Sequence, residues 1–120
     1  MSALVSLAEH RRRQRRIFFT RAELNQLLSL YSRQVARGEW RDYAIDQHDS
    51  GALFSVFRDT NEHPLYTIVK SAPSPHRQGD YVLLQGRRRL ACAPSLGEVL
   101  TTLLRALGPM IVVRDGEGRP

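Results

Sequence analysis

Apolar side chains between residues 20 and 38 recur at intervals of three and four, the period of a helix with one apolar face. The positions on this stripe are Leu24, Leu27, Leu28, Tyr31 and Val35. Thr20 and Glu23 have the spacing of a capping box, in which each side chain accepts a hydrogen bond from the other residue's backbone N–H. Gly38 stands where a residue in the left-handed conformation ends a helix. The pattern predicts an amphipathic helix over residues 21–37.

A second amphipathic helix is predicted near the C-terminal end of the chain. Its apolar positions have the same helical spacing and are Leu96, Val99, Leu100, Leu103, Leu104 and Leu107. Ser95 and Glu98 repeat the spacing of a capping box, and Pro94 prevents the preceding strand from continuing. Gly108 and Pro109 end the helix.

The residues between the two helices predict β-strands, because short apolar or alternating runs are separated by turn-forming residues. The runs lie at 43–45, 52–57, 65–69, 81–84 and 88–92. The run over 52–57 is apolar on both faces apart from Ser55, which is typical of a strand that is covered on two sides or lies centrally. The predicted fold class is α+β, an antiparallel β-meander of four to five strands bracketed by the N-terminal and C-terminal amphipathic helices. Residues 110–113 could add an edge strand.

The positive charge is concentrated at one end of the chain. Residues 1–21 carry six arginines and one glutamate, and so account for five of the six net positive charges. The remainder of the chain is close to neutral. We therefore expect a basic disordered arm over 1–16, a single α+β domain over 17–113 and a flexible tail over 114–120.

The arm has three interpretations. A run of like charges repels itself and stays extended in solvent. Alternatively, its guanidinium groups bind nucleic-acid phosphates without reading sequence, and the residues concerned are Arg11, Arg12, Arg13, Arg15 and Arg16. In the third interpretation, Leu4, Val5 and Leu7 begin a short helix on an anionic membrane surface. This last one is the weakest, since the apolar part is barely two turns long and lacks an aromatic anchor.

Composition and charge order argue against the membrane-spanning and secreted classes. No apolar run approaches the roughly 18 to 20 residues that a membrane-spanning helix needs, so no transmembrane segment is expected. The first apolar residues precede the arginines, which is the reverse of a secretory signal peptide. The single cysteine excludes a disulfide framework. The sequence predicts a cytoplasmic protein.

No motif indicates a catalytic or cofactor site. The four histidines stand apart from one another and from Cys92, so the spacings typical of zinc ligands are missing. Cys92 lies between two alanines in a predicted strand, where we expect a small buried apolar side chain. Glycine-rich loops of the kind that hold phosphates are also missing. The sequence predicts no cofactor and no metal site, and it favours a protein that is not an enzyme.

One candidate binding surface follows the first helix. It comprises Trp40, Arg41, Asp42 and Tyr43, because a tryptophan flanked by arginine and tyrosine has the composition of a hot spot in a protein interface. The alternative is that Trp40 closes the core beneath the end of the helix.

A second candidate surface is basic. Arg87, Arg88 and Arg89 stand at a predicted hairpin, where at least two of them share a face of the sheet. Such a patch suits nucleic-acid phosphates. The same charges would equally protect an exposed edge strand from aggregation.

Several segments resemble a family of short alphaproteobacterial proteins, which is a domain of unknown function. The segments that carry the resemblance are 23–28, 38–46, 54–58, 64–66 and 78–79. The likeness covers about residues 17–107 and is most specific over 38–46. It implies a cytoplasmic bacterial protein, and it brings no activity, cofactor or catalytic residue with it.

The function is therefore predicted only by class. The leading hypothesis is a small non-enzymatic protein-interaction or regulatory protein, whose unidentified protein partner contacts segment 40–43. The alternative is non-specific nucleic-acid binding through the arginine-rich arm. Neither hypothesis names the partner or the oligomeric state.

Overall fold

Two helices flank five strands in the order that the sequence predicts. The computed structural model describes residues 17–59, 63–72 and 80–108. The helices are α1 (Arg21–Ala36) and α2 (Leu96–Leu107), and the strands between them are β1 (Asp42–Gln47), β2 (Gly51–Phe57), β3 (Tyr66–Ser71), β4 (Tyr81–Gln85) and β5 (Arg88–Ala93). The α+β class is confirmed. The arm, the tail and the suggested strand over 110–113 lie outside the described residues.

Helix α1 begins at the predicted capping box. The Thr20 N–H donates to Glu23 Oε1 at 2.7 Å, and the Glu23 N–H donates to Thr20 Oγ1 at 3.1 Å. Beyond the helix, Gly38 has φ of +77°, a conformation that a residue with a Cβ adopts only with strain. Local chemistry therefore fixes both ends of α1.

The buried line of α1 differs from the predicted stripe. Leu27, Leu30 and Gln34 are buried, whereas Val35 is 40% exposed. The stripe was wrong at Val35 and omitted both Leu30 and Gln34. The buried residues Leu27, Leu30 and Gln34 are spaced by three and four, as the predicted stripe is, so helical spacing alone does not choose between the two lines. Hydropathy favoured the line through Val35 because Gln34 is polar.

The five strands form one antiparallel sheet in the order β1-β2-β3-β4-β5, so every strand pairs with its neighbours in the chain. The register aligns Ile45 with Phe54, Phe54 with Ile68, and Ile68 with Leu83. The predicted antiparallel meander is confirmed. Strand β2 lies inside the sheet, which accounts for its nearly continuous apolar sequence.

The core lies between the helices and one face of the sheet. Paired residues on adjacent strands share a face, and the sheet contributes Ala52, Phe54, Val56, Tyr66, Ile68, Tyr81, Leu83 and Ala93 to the core. Helix α1 adds Leu27 and Leu30, and helix α2 adds three apolar residues, Leu96, Val99 and Leu103. An apolar cavity of about 10 Å³ remains between the helices and the sheet. Both helices therefore pack against the same face.

Cys92 is exposed, and the prediction that it is buried was wrong. Its neighbours Ala91 and Ala93 do pack with the core, but Cys92 pairs with Val82 on the other face of the sheet. The register between β4 and β5 shifts near this point, and the extra residue, Leu90, also packs against the core. Apolar neighbours in the sequence thus lie on the face opposite to Cys92.

Gly51 is required where β2 begins beside β3. A Cβ at this position would lie 2.8 Å from the backbone carbonyl oxygen of Lys70, which is part of the neighbouring strand. Relief of that contact requires the two strands to separate. We expect Gly51→Ala to lower the free energy of unfolding by about 2 kcal/mol, measured by urea denaturation followed by circular dichroism.

Gly97 provides the matched control for this prediction. A Cβ at Gly97 would meet no atom within 4 Å, and the residue is helical. Gly97→Ala should raise the free energy of unfolding by about 0.5 to 1 kcal/mol, because alanine is the better helix former. A loss of similar size at both positions would contradict the steric explanation at Gly51.

Candidate functional site

An open groove of about 470 Å³ lies at the end of the sheet where the β4–β5 turn is located. We call it the end groove. Its lining comes from five separate parts of the chain and comprises Glu39, Trp40, Arg58, Pro64, Leu65, Tyr66, Gln85, Gly86, Ala106 and Leu107. A neighbouring depression of about 250 Å³ shares Pro64 and Gly86 and adds His63 and Arg87. Of these two depressions, the end groove falls in the size range of ligand sites, about 300 to 1,000 Å³.

Backbone hydrogen bonds hold the walls of the end groove in place. The Leu65 N–H donates to the Val56 carbonyl at 2.8 Å, and the Gly86 N–H donates to the Leu65 carbonyl at 3.2 Å. On the β1 side, the Arg41 N–H donates to the Phe57 carbonyl at 2.8 Å. Leu65, the residue before β3, is therefore hydrogen-bonded to its neighbours on both sides, and this wall of the groove is held in place without a ligand.

The floor of the end groove is aromatic and belongs to the core. Trp40 is only 3% exposed, and its ring lies 6.3 Å from that of Tyr31 and 6.4 Å from that of Tyr66, centroid to centroid. The structure thus agrees with the alternative in which Trp40 closes the core. Trp40 therefore offers little exposed surface, and its contact with a partner stays a prediction.

The rim of the end groove carries an ion pair. Arg58 Nη2 lies 3.2 Å from Glu39 Oε1, and the two side chains are 59% and 49% exposed. An exposed pair of this kind contributes only about 0.2 to 1 kcal/mol to stability. Either group can therefore exchange its partner for a charge on a ligand at little cost.

Most of the described chain matches a known protein family. Residues 17–89, more than half of the chain, match the family described as "Protein of unknown function (DUF2794)". The chain belongs to the DUF2794 family. No curated protein and no solved structure matches it. The predicted resemblance to a domain of unknown function is confirmed over residues 17–89, and the DUF2794 match assigns no function.

The DUF2794 match covers only part of the end groove. It includes the walls formed by Glu39, Arg58 and Leu65, whereas Ala106 and Leu107 of α2 lie beyond it. Helix α2 nevertheless contributes to the same core as α1. This DUF2794 protein therefore builds its groove from the matched region and from a helix that follows it.

The predicted segment 40–43 does not form one surface in this DUF2794 protein. Trp40 lies under the end groove, while Arg41 is exposed and Asp42 is half-buried. Tyr43 lies on the edge strand β1 and is 39% exposed. The centroid of its ring is 4.8 Å from that of Tyr31 and 5.6 Å from that of Phe54. Partner binding by these residues stays a prediction.

The arginines predicted to bind nucleic acid also lie in separate places. Arg87 lines the depression beside the end groove, and Arg88 and Arg89 are exposed on the edge strand β5. The arm residues, Arg11, Arg12, Arg13, Arg15 and Arg16, lie outside the described part of the chain. Of the three hairpin arginines, Arg87 is the one that lines the depression beside the end groove.

Sequence reasoning missed most of the end groove. Arg58, Pro64, Leu65, Ala106 and Leu107 come from three segments with no motif in common. Glu39 also lines the groove, and it forms an ion pair with Arg58, 19 positions further along the chain. The residues after β2, the residues before β3 and the end of α2 come together only in the folded sheet. A prediction of this site would have needed the strand order and the packing of α2.

A polar cluster lies at the opposite end of the sheet and joins it to α1. Glu23 Oε1 accepts from Lys70 Nζ at 2.8 Å, and Glu23 Oε2 accepts from the Tyr81 hydroxyl. Lys70 Nζ also donates to the Phe18 carbonyl at 2.9 Å. With the Thr20 N–H, three donors satisfy this carboxylate. We call Glu23, Lys70 and Tyr81 the anchor cluster, since it fixes the start of α1 to β3 and β4.

The anchor cluster shifts the pKa of two of its members. Burial alone would raise the pKa of Glu23, but the hydrogen bonds from Lys70, Tyr81 and Thr20 outweigh it and lower the pKa below 4.5. Burial, and then the hydrogen bond to Glu23, raises the pKa of Tyr81 well above 10.0. Shifted groups are common at catalytic sites, but here the polar atoms satisfy one another and a structural role explains them.

The described residues contain neither a cluster of metal-binding side chains nor a membrane-spanning helix. Within 17–59, 63–72 and 80–108, no three or more His, Cys, Asp or Glu side chains are grouped so as to hold a metal ion. In the same ranges, neither helix has both the length and the apolar character required to cross a bilayer.

Proposed function

We propose that this protein is a small interaction or regulatory protein that holds a short segment of a protein partner in the end groove. The observation that supports this proposal is a preformed groove of about 470 Å³ with an aromatic floor and charged rim. Apolar pockets with a few placed polar groups are the usual form of binding sites. The proposal takes the protein to act in the cytoplasm without catalysing a reaction.

The lining indicates the chemistry of the bound segment. Pro64, Leu65 and Leu107 give the groove apolar walls, which suit one or two apolar side chains of the partner. Arg58 and Arg87 bring positive charge to the rim and to the adjoining depression. Because guanidinium groups pair well with carboxylates, we expect acidic residues beside the apolar anchor.

A substitution on α2 tests this proposal without removing a core contact. Ala106 lines the groove and is exposed, so Ala106→Glu would narrow the groove and add a negative charge to a lining that also includes Arg58. We expect capture of the partner from cell extract by the tagged protein to fall at least tenfold, because the new side chain takes the place of the ligand. Thr101→Glu puts the same charge on an exposed part of α2 outside the groove and should leave capture unchanged.

Treatment of the extract with nuclease separates the two functional hypotheses. A stoichiometric protein that survives nuclease and is lost only with Ala106→Glu supports the groove. Equal capture by both variants would place the binding site elsewhere. Loss of all bound material after nuclease would favour the alternative, nucleic-acid binding through the arginine-rich arm.

A further inference from the structure

The face of the sheet that points away from both helices has no described helix or strand packed against it. We call this face the open face. Alternation along the strands puts six half-buried apolar residues on it: Ala44, Leu53, Phe57, Val69, Val82 and Leu84. None of the six belongs to the core formed with the helices. An antiparallel sheet ordinarily carries polar residues on a face that remains in water, so this face has the composition of a buried surface.

The polar side chains at the centre of the open face satisfy each other. Ser55 and Thr67 pair across β2 and β3, and their hydroxyl oxygens are 3.2 Å apart. Both residues are buried, at 8% and 6% exposure. A hydrogen-bonded pair of this kind loses little when water is removed from above it. The centre of the open face is therefore suited to a dry contact.

The two edges of the open face carry opposite charges. On β1, Asp42 and Asp46 flank Ala44 on this face. On β5, Arg89 lies on the same face, because it pairs with Leu84. The register places Arg89 in the same row as Ala44 across the sheet, between the rows of the two aspartates.

We propose that the open face binds a second copy of this chain, in a symmetric dimer with the two open faces packed together. A twofold axis parallel to the strands places β1 of one copy over β5 of the other and leaves the rows level. Arg89 then faces the pair Asp42 and Asp46 of the second copy, and the same contact forms twice. A twofold axis across the strands would instead place β1 over β1 and bring like charges together.

Sheet geometry is compatible with this arrangement. Packed sheets lie about 10 Å apart, a gap that an arginine and an aspartate side chain can span together. Five strands spaced about 4.8 Å apart and about 20 Å long give a face of roughly 480 Å² in plan. Two such faces, if fully covered, remove roughly 960 Å² from water, close to the lower limit of about 1,000 Å² for a specific interface. We therefore expect a weak dimer with a dissociation constant of roughly 1 to 100 μM.

Sedimentation equilibrium over a concentration series tests the dimer directly. The wild-type protein should move from 13.7 kDa to twice that mass as its concentration rises through this range. Val69→Glu puts a charge at the centre of the open face and should abolish the dimer, whereas the exposed Thr101→Glu should leave it intact. Thermal unfolding of each variant establishes that it is folded before its mass is interpreted.

A charge exchange tests the predicted orientation with variants that leave the centre of the sheet unchanged. Asp46→Arg and Arg89→Asp should each weaken the dimer about tenfold, because each puts like charges opposite each other. The double variant should return to within about threefold of wild type. Within one chain the two residues are separated by four strand spacings, about 19 Å, beyond the screening length of about 8 Å at physiological salt. Rescue therefore requires contact between two copies.

Three outcomes would overturn the proposal. A protein that stays at 13.7 kDa at every concentration has no such dimer. A dimer that withstands Val69→Glu, in a folded variant, uses another surface. Failure of the double variant to recover would exclude the arrangement of β1 over β5. The end groove lies at an end of the sheet, so failure here leaves the proposed function untouched.

Discussion

Trp40→Ala is expected to lower the free energy of unfolding by about 4 kcal/mol, the typical cost of removing a buried tryptophan side chain. Trp40 is 3% exposed and lines the cavity of about 10 Å³ between the helices and the sheet. The substitution would enlarge that cavity, which Leu27 and Phe54 also line. Urea denaturation followed by circular dichroism at 222 nm measures the change.

Tyr43→Ala is the matched control from the same segment. Tyr43 is 39% exposed, so its removal should cost about 1 to 2 kcal/mol through lost contacts with Tyr31 and Phe54. Unchanged stability in Trp40→Ala would contradict the buried position. It would return Trp40 to the group of exposed binding residues.

Removal of the anchor cluster should have the second largest effect. We expect Glu23→Ala to lower the free energy of unfolding by about 2 to 3 kcal/mol, because Lys70 and Tyr81 lose a partner in a partly buried site. The capping box of α1 is lost in the same substitution. Glu98→Ala removes the equivalent residue of α2, which contacts only Ser95 in the bonds described, and should cost about 0.5 to 1 kcal/mol.

The pH dependence of the same variant distinguishes the cluster from the cap. The pKa of Glu23 is lowered in the folded protein, so its contribution to stability is present above about pH 4.5 and is lost as the pH falls further. The pKa of Tyr81 is raised in the folded protein. The stability contributed by its protonated hydroxyl is therefore present below pH 10.0 and is lost as the pH rises through the pKa of the folded state. The difference between wild type and Glu23→Ala should be constant from pH 6 to 9 and shrink on both sides. A difference independent of pH would contradict this explanation.

The fold was largely predictable because its signals are local. Thr20 and Glu23 mark the start of α1 within four residues, and Gly38 marks its end. Turn residues separate the strands of a meander whose spatial neighbours are also neighbours in the chain. The errors at Val35 and Cys92 have a different cause, since burial depends on which face another element covers. Hydropathy along one strand or helix does not contain that information.

The candidate site was much less predictable than the fold. Trp40 and Arg87 were recognised separately, but their positions at the same end of the sheet follow from the register of all five strands. Ala106 completes the groove only because α2 packs back across the sheet. Sequence composition also suggested an exposed Trp40, since a buried tryptophan and an interfacial tryptophan have the same neighbours in a sequence. Only the packing of Tyr31 and Tyr66 on its ring separates the two.

The chain order of the strands also favours one sequence of folding events. Each strand meets a partner that is already close along the chain, so the loops that close during sheet formation are short and the entropy lost is small. The anchor cluster instead joins residues 47 and 58 positions apart. Successive hairpins should therefore form the folding nucleus, while the attachment of α1 comes after the transition state. The anchor cluster would then mainly lower the unfolding rate and lengthen the lifetime of the native state, with little effect on the folding rate.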